Sequence, residues 1–82
     1  MRLTQSAHKH GIEEADSIQA ATWPLWVETL DEDDNQQREL RLGFDHHGRL
    51  LETVVIVAKD GDELLIHSMK ARKKYIALLD QL

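Results

Sequence analysis

His67 is the side chain in this sequence best placed to move a proton, because an imidazole ordinarily exchanges one near neutral pH. Its plain alternative is a strand histidine hydrogen-bonded to backbone or to Glu52. Glu52 interrupts an otherwise apolar run, so burial requires a partner, for which Arg41 and Arg72 are the candidates; the other reading makes it a base. Arg72 can grip an anion through two parallel N–H groups or form an ordinary helix ion pair. Arg41, Arg49, Lys70, Lys73 and Lys74 are natural partners for a phosphate backbone, and as single residues equally natural solvated charges. Tyr75, early in an amphipathic stretch, reads as a core residue or as a surface on which a base stacks.

The remaining histidines invite a metal reading. His46 and His47 adjoin Asp45, and His8 and His10 are spaced to share one side only if extended. On a helix an i, i+2 pair does not face one ligand position, and no cysteine supports a site. No metal and no cofactor is expected. Trp23, Trp26 and Phe44 read as core or partner contacts rather than a nucleobase platform.

These residues need elements to position them. Leu3 to His10 reads as a short helix closed by Gly11, and Ile12 to Thr22 as a second, with Ile12, Ala15, Ile18 and Ala21 or Thr22 recurring at helical spacing before Pro24. Leu25 to Leu30 reads as a strand and Asp31 to Gln37, with no apolar residue, as a solvated loop. Leu40, Leu42 and Phe44 alternate with Glu39, Arg41 and Gly43, the pattern of a strand buried on one face.

Asp45-His46-His47-Gly48 is a hairpin turn leading into Leu50 to Ala58, apolar enough for the centre of a sheet. Lys59-Asp60-Gly61-Asp62 is a second turn, Glu63 to Met69 the last strand, and Ala71 to Leu82 a helix with Tyr75, Leu78, Leu79 and Leu82 on one side. The expectation is one α+β domain over residues 1–82: two N-terminal helices, a four-stranded antiparallel meander and a C-terminal helix. Alternation puts His67 beside Leu65 and Met69, and a favourable register would gather His67, Arg41 and Glu52 on one open face, with Arg72 and Tyr75 arriving from the adjoining helix.

Composition bounds the partners. A chain of 82 residues has room for one core, and a small domain of this kind readily associates, so a homodimer is a reasonable expectation. The absence of cysteine suits a reducing cytosol. No stretch approaches the roughly 18 apolar residues that span a bilayer, and the N-terminus lacks a leader pattern, which reads as a cytoplasmic protein without a membrane partner. The net charge of −5 is polarised: Glu13, Glu14, Asp16, Glu28, Asp31, Glu32, Asp33 and Asp34 crowd one region without a base, whereas Lys70, Arg72, Lys73 and Lys74 face only Asp80 near the end. Local field governs where a polyanion docks, so the acidic total disfavours a pure nucleic-acid binder without removing a basic patch.

Arg38-Glu39-Leu40-Arg41-Leu42-Gly43, Gly48-Arg49-Leu50-Leu51-Glu52 and Ile66-His67-Ser68-Met69-Lys70-Ala71-Arg72-Lys73-Lys74-Tyr75, in that order, resemble the BrnT-like toxins of bacterial toxin-antitoxin pairs, within the RelE/ParE superfamily. Lys9-His10-Gly11-Ile12 before an acidic helix resembles that family's N-terminal helical hairpin. The resemblance implies a metal-independent endoribonuclease that cleaves messenger RNA and inhibits translation and growth. It also implies a cognate antitoxin protein as partner, with DNA reached only through that antitoxin. His67 and Glu52 would then move protons, Arg41 and Arg72 would stabilise the phosphate, Tyr75 would complete the site, and Arg49, Lys70, Lys73 and Lys74 would hold the RNA. The chain departs from the family pattern in its acidic balance and in Ile66-His67-Ser68-Met69, where many relatives carry a serine-arginine pair. The rival reading is a non-catalytic member of the same fold acting as a protein-binding partner.

Overall fold

Leu50–Ala58, rich in β-branched residues, forms the central strand of the protein, in a computed structural model that describes residues 1–81. In chain order the elements are β1 (Arg2–Leu3), a 3-10 turn (Gln5–His8), α1 (Glu14–Thr22), β2 (Trp26–Glu32), β3 (Gln36–Phe44), β4 (Leu50–Ala58), β5 (Glu63–Lys70) and α2 (Lys73–Leu79). The sheet order is β1-β5-β4-β3-β2, with β2 to β5 an antiparallel meander and β1 added parallel to β5.

The architecture corrects the expected one in three places. The sheet is five-stranded and mixed, not four-stranded and antiparallel, and one α-helix, not two, precedes the meander. Leu3, the predicted start of the first helix, instead pairs with Leu65, as Arg2 before it pairs with Leu64, and the Thr4 amide donates to the Leu65 carbonyl at 3.0 Å. Pairing with a distant strand edge thus outweighs a weak local helical preference, leaving only a 3-10 turn at Gln5–His8. Asp31–Gln37 is not a long loop either: β2 runs to Glu32 and β3 starts at Gln36, with the Asp33 carboxylate accepting from the amides of Asn35 and Gln36. Hydrogen bonding between two exposed strands carries that hairpin without an apolar signal. α2 occupies Lys73–Leu79; the Leu82 assigned to its apolar side lies outside the described residues.

Register defines the two faces of the sheet. The rung Arg41–Thr53–Ser68 lies on the face covered by α1, where the Ser17 and Ser68 hydroxyls share a 2.6 Å hydrogen bond. The core on that face joins Ala7, Ala21, Val55 and Leu65, and beside them Ile12, Ala20 and Leu51. α1 buries Asp16, Ser17, Ala20 and Ala21 and leaves Ala15 exposed, so its inner face is small and polar and differs from the predicted Ile12-Ala15-Ile18 stripe. Gly43 shows why small residues are needed, since a Cβ there would come within 2.2 Å of the Ala20 carbonyl oxygen. The opposite face carries the rungs Leu40–Val54–His67 and Leu42–Glu52–Met69, with Leu40, Leu42 and Glu52 buried. No described helix is long and apolar enough to cross a membrane.

Candidate functional site

One extra residue in β5 decides where His67 stands. Val55 opposes Leu65 but Val54 opposes His67, so Ile66 is bulged out of the ladder. Without the bulge Thr53 would face His67, which would then point to the α1 side; the bulge moves it to the face of Glu52. His67 therefore shares a face with Met69 and not with Leu65, a correction to simple alternation.

Glu52 is 1% exposed and both its oxygens are engaged. Oε2 lies 3.0 Å from His67 Nε2 and accepts from Arg72 Nη2 at 2.9 Å; Oε1 accepts from Arg72 Nε and from the Arg72 backbone amide, each at 3.0 Å. Burial alone pushes the carboxyl up, but the hydrogen bonds from Arg72 and His67 outweigh it and hold Glu52 below its ordinary range. The same contact, with the charge of Glu52, pushes the Arg72 guanidinium up. An ionised carboxylate with this many partners orients its neighbours and has no free position for a substrate proton. Because Glu52 accepts at Nε2, the neutral His67 ring carries its proton there and leaves Nδ1 as an acceptor.

The three residues border an open cleft of about 240 Å³, lined also by Arg38, Val54, Ile66 and Tyr75. Arg72 sits between β5 and α2 in extended backbone, its side chain half exposed. Its guanidinium lies 5.3 Å from the centre of the Tyr75 ring and the Lys74 ammonium 4.8 Å, so a base stacking there competes with cations already in place. His10 packs edge-on to His67 with ring centres 5.5 Å apart. The polypeptide thus brings together His67, Glu52, Arg72 and Tyr75 from the sequence-derived set, and adds Arg38 and His10. Alternation could have indicated Arg38, which shares a strand face with Leu40 and Leu42; His10 carried no such signal, because its approach depends on the 3-10 turn packing on β5.

Arg41 does not join them. It lies on the α1 face, donating to Glu63 at 2.6 Å, to Glu39 at 3.0 Å and to the Ala21 carbonyl at 3.0 Å. Burial favours losing its charge, but the two carboxylates outweigh that and raise its pKa. The predicted convergence of Arg41 with His67 and Glu52 fails on register, because Leu42, not Arg41, opposes Glu52.

Arg49 belongs to another cluster, at the turn between β3 and β4. Its Nε donates to Asp45 Oδ2 at 2.6 Å, and its Nη2 stands 3.6 Å from Asp16. His46 meets Asp16 through its backbone amide at 3.1 Å and Nδ1 at 2.8 Å, with His47 Nε2 at 3.6 Å. The His46 hydrogen bond lowers the pKa of Asp16 against the cost of burial; for Asp45, burial raises the pKa but the bonds from Arg49 and His47 bring it below normal. This cluster ties α1 to the turn, which accounts for the histidine pair. Among the described residues no group of three or more histidine, cysteine or acidic side chains is arranged to hold a metal. Lys70, Lys73 and Lys74 are exposed around the β5–α2 junction. Compared with models of protein families, curated proteins and solved structures, the chain matches none.

Proposed function

We propose that the Glu52–His67–Arg72 cleft cleaves RNA by attack of a ribose 2′-hydroxyl on the adjacent phosphate, without a metal ion. The observation that carries this reading is one buried carboxylate that fixes an imidazole and a guanidinium at the mouth of the same cleft. His67 Nδ1 takes the 2′-hydroxyl proton as the oxygen bonds to phosphorus. The bond from phosphorus to the 5′-oxygen breaks, leaving a 2′,3′-cyclic phosphate and a 5′-hydroxyl. His10, edge-on to His67, is the second imidazole available to protonate the departing oxygen. Arg72, pre-oriented by Glu52, stabilises the charge that develops on the phosphate oxygens, and Lys70, Lys73 and Lys74 hold flanking phosphates.

The order of motifs that resembles the BrnT-like toxins supports the same chemistry. On this reading messenger RNA in the cytoplasm is the substrate, growth inhibition the consequence, and an adjacent antitoxin protein the silencing partner. The test is to incubate the purified protein, in chelator, with an RNA oligonucleotide and with copies bearing single 2′-deoxy positions. Cyclic-phosphate ends, lost where the 2′-hydroxyl is removed, are expected. Intact RNA at high protein concentration, or cleavage indifferent to the 2′-hydroxyl, overturns the proposal.

A further inference from the structure

The acids Glu28 and Asp31 to Asp34 do not line the cleft, and they lie on the edge strand β2 and the turn that follows it. β2 is the terminal strand of the sheet, bonded to β3 on one side only, so alternate backbone N–H and C=O groups along its outer edge have no partner strand. Every residue from Val27 to Glu32 is exposed. Val27 shares a rung with Arg41 and so lies on the α1 face; it is 51% exposed, and nearby Leu25 is 52% and Trp23 75% exposed. Glu28, on the other face, is followed by Asp31, Glu32, Asp33 and Asp34, and among the described residues the one cation bonded to this group is Arg38, at 2.7 Å from Asp31.

We propose that the β2 edge is a docking edge for an extended, basic segment of a partner protein, which adds as a sixth strand. Charge selects this occupant. Two copies of the chain pairing β2 against β2 would each bring the same excess of acids to the shared edge, and like charge opposes that approach. The extra residue between Thr29 and Asp31 twists the strand end and further blunts self-pairing, leaving Trp26–Thr29 as the regular stretch. A basic strand turns the same acids into partners: its lysines or arginines face Glu28 and its apolar residues cover Val27 and Leu25. The inference does not rest on the ribonuclease reading, because it uses the outer edge of β2, whereas the cleft lies on the face formed by β3, β4 and β5.

A short synthetic peptide alternating lysine and valine, and its glutamate-valine counterpart, test this with the whole chain at low salt. The lysine peptide is expected to shift amide resonances of residues 25–32 and to slow hydrogen exchange at alternate β2 positions. Glu28→Lys combined with Asp31→Lys, the two acids that share one face of the strand, should weaken it by about tenfold or more and admit the glutamate peptide, whereas Asp60→Lys, in the turn before β5, should leave it nearly unchanged. The inference is overturned if the lysine peptide does not bind, if its shifts map to the His67 cleft, if Asp60→Lys matches the β2 reversal, or if sedimentation shows a dimer that the reversal disrupts.

Discussion

Arg41 and Arg72 are both held by carboxylates, on opposite faces of one sheet, yet Arg41 is buried while Arg72 is half exposed and borders the cleft. Arg41 is 9% exposed and has Glu39, Glu63 and a carbonyl, so its positive charge is more than matched. On the other face Glu52 alone stands between Arg72 and the His67 ring, so one acid meets one guanidinium, and the exposed Lys74 ammonium lies beside Tyr75. Where acids outnumber cations the guanidinium is structural. Where a single buried acid organises a half-exposed guanidinium and an imidazole, the carboxylate that is buried orients what is exposed.

The comparison can be broken by substitution. The largest effect is expected for His67→Ala, which removes the proposed proton acceptor and should lower the RNA cleavage rate by about 10²–10⁴-fold while the circular dichroism spectrum is kept. A next, structural effect falls on the other face: Arg41→Met keeps volume but leaves Glu39 and Glu63 without their cation, and thermal unfolding should report a loss of about 2–4 kcal/mol. Gly43→Ala tests the same face without charge. Its methyl group meets the backbone of α1, and a loss of roughly 1–3 kcal/mol is expected from denaturant midpoints.

Acid sharpens the contrast more gently. Glu52, Asp16 and Asp45 all sit below their ordinary carboxyl values in the folded chain. Unfolding therefore takes up protons as the pH falls below the ordinary carboxylate range, so the stability they contribute is present at neutral pH and is lost on acidification through their folded values. The melting temperature should hold from pH 7 down to the ordinary carboxylate range, about pH 4, and fall below it, and Glu52→Gln should flatten part of that slope. An unchanged slope in Glu52→Gln would remove Glu52 from the account.

Much of the frame was legible in the sequence, and the misses share a cause. The runs Leu50 to Ala58 and Glu63 to Met69, and the turns around Gly48 and Gly61, are set by local pattern, and β4 does lie inside the sheet. β1 was hidden because two residues carry no period and their partners, Leu64 and Leu65, are far along the chain. The far ends of β2 and β3 were hidden because a strand exposed on both faces shows no alternation. Of the site, Glu52, His67, Arg72 and Tyr75 stood out by residue type, but which of them meet depends on register. Arg41 was lost by one rung, and His67 was kept only by the bulge at Ile66, which no side-chain pattern marks.

The most direct measurement sets Arg72→Met beside Arg41→Met, with cleavage of one RNA oligonucleotide and the melting temperature read on the same preparations. Both should melt lower, because each leaves a carboxylate without its cation, but Arg72→Met should lose most cleavage while still folded, and Arg41→Met should cleave at nearly the normal rate while folded. Normal cleavage by Arg72→Met, or loss of cleavage in fully folded Arg41→Met, would contradict the assignment of catalysis to the Glu52 face.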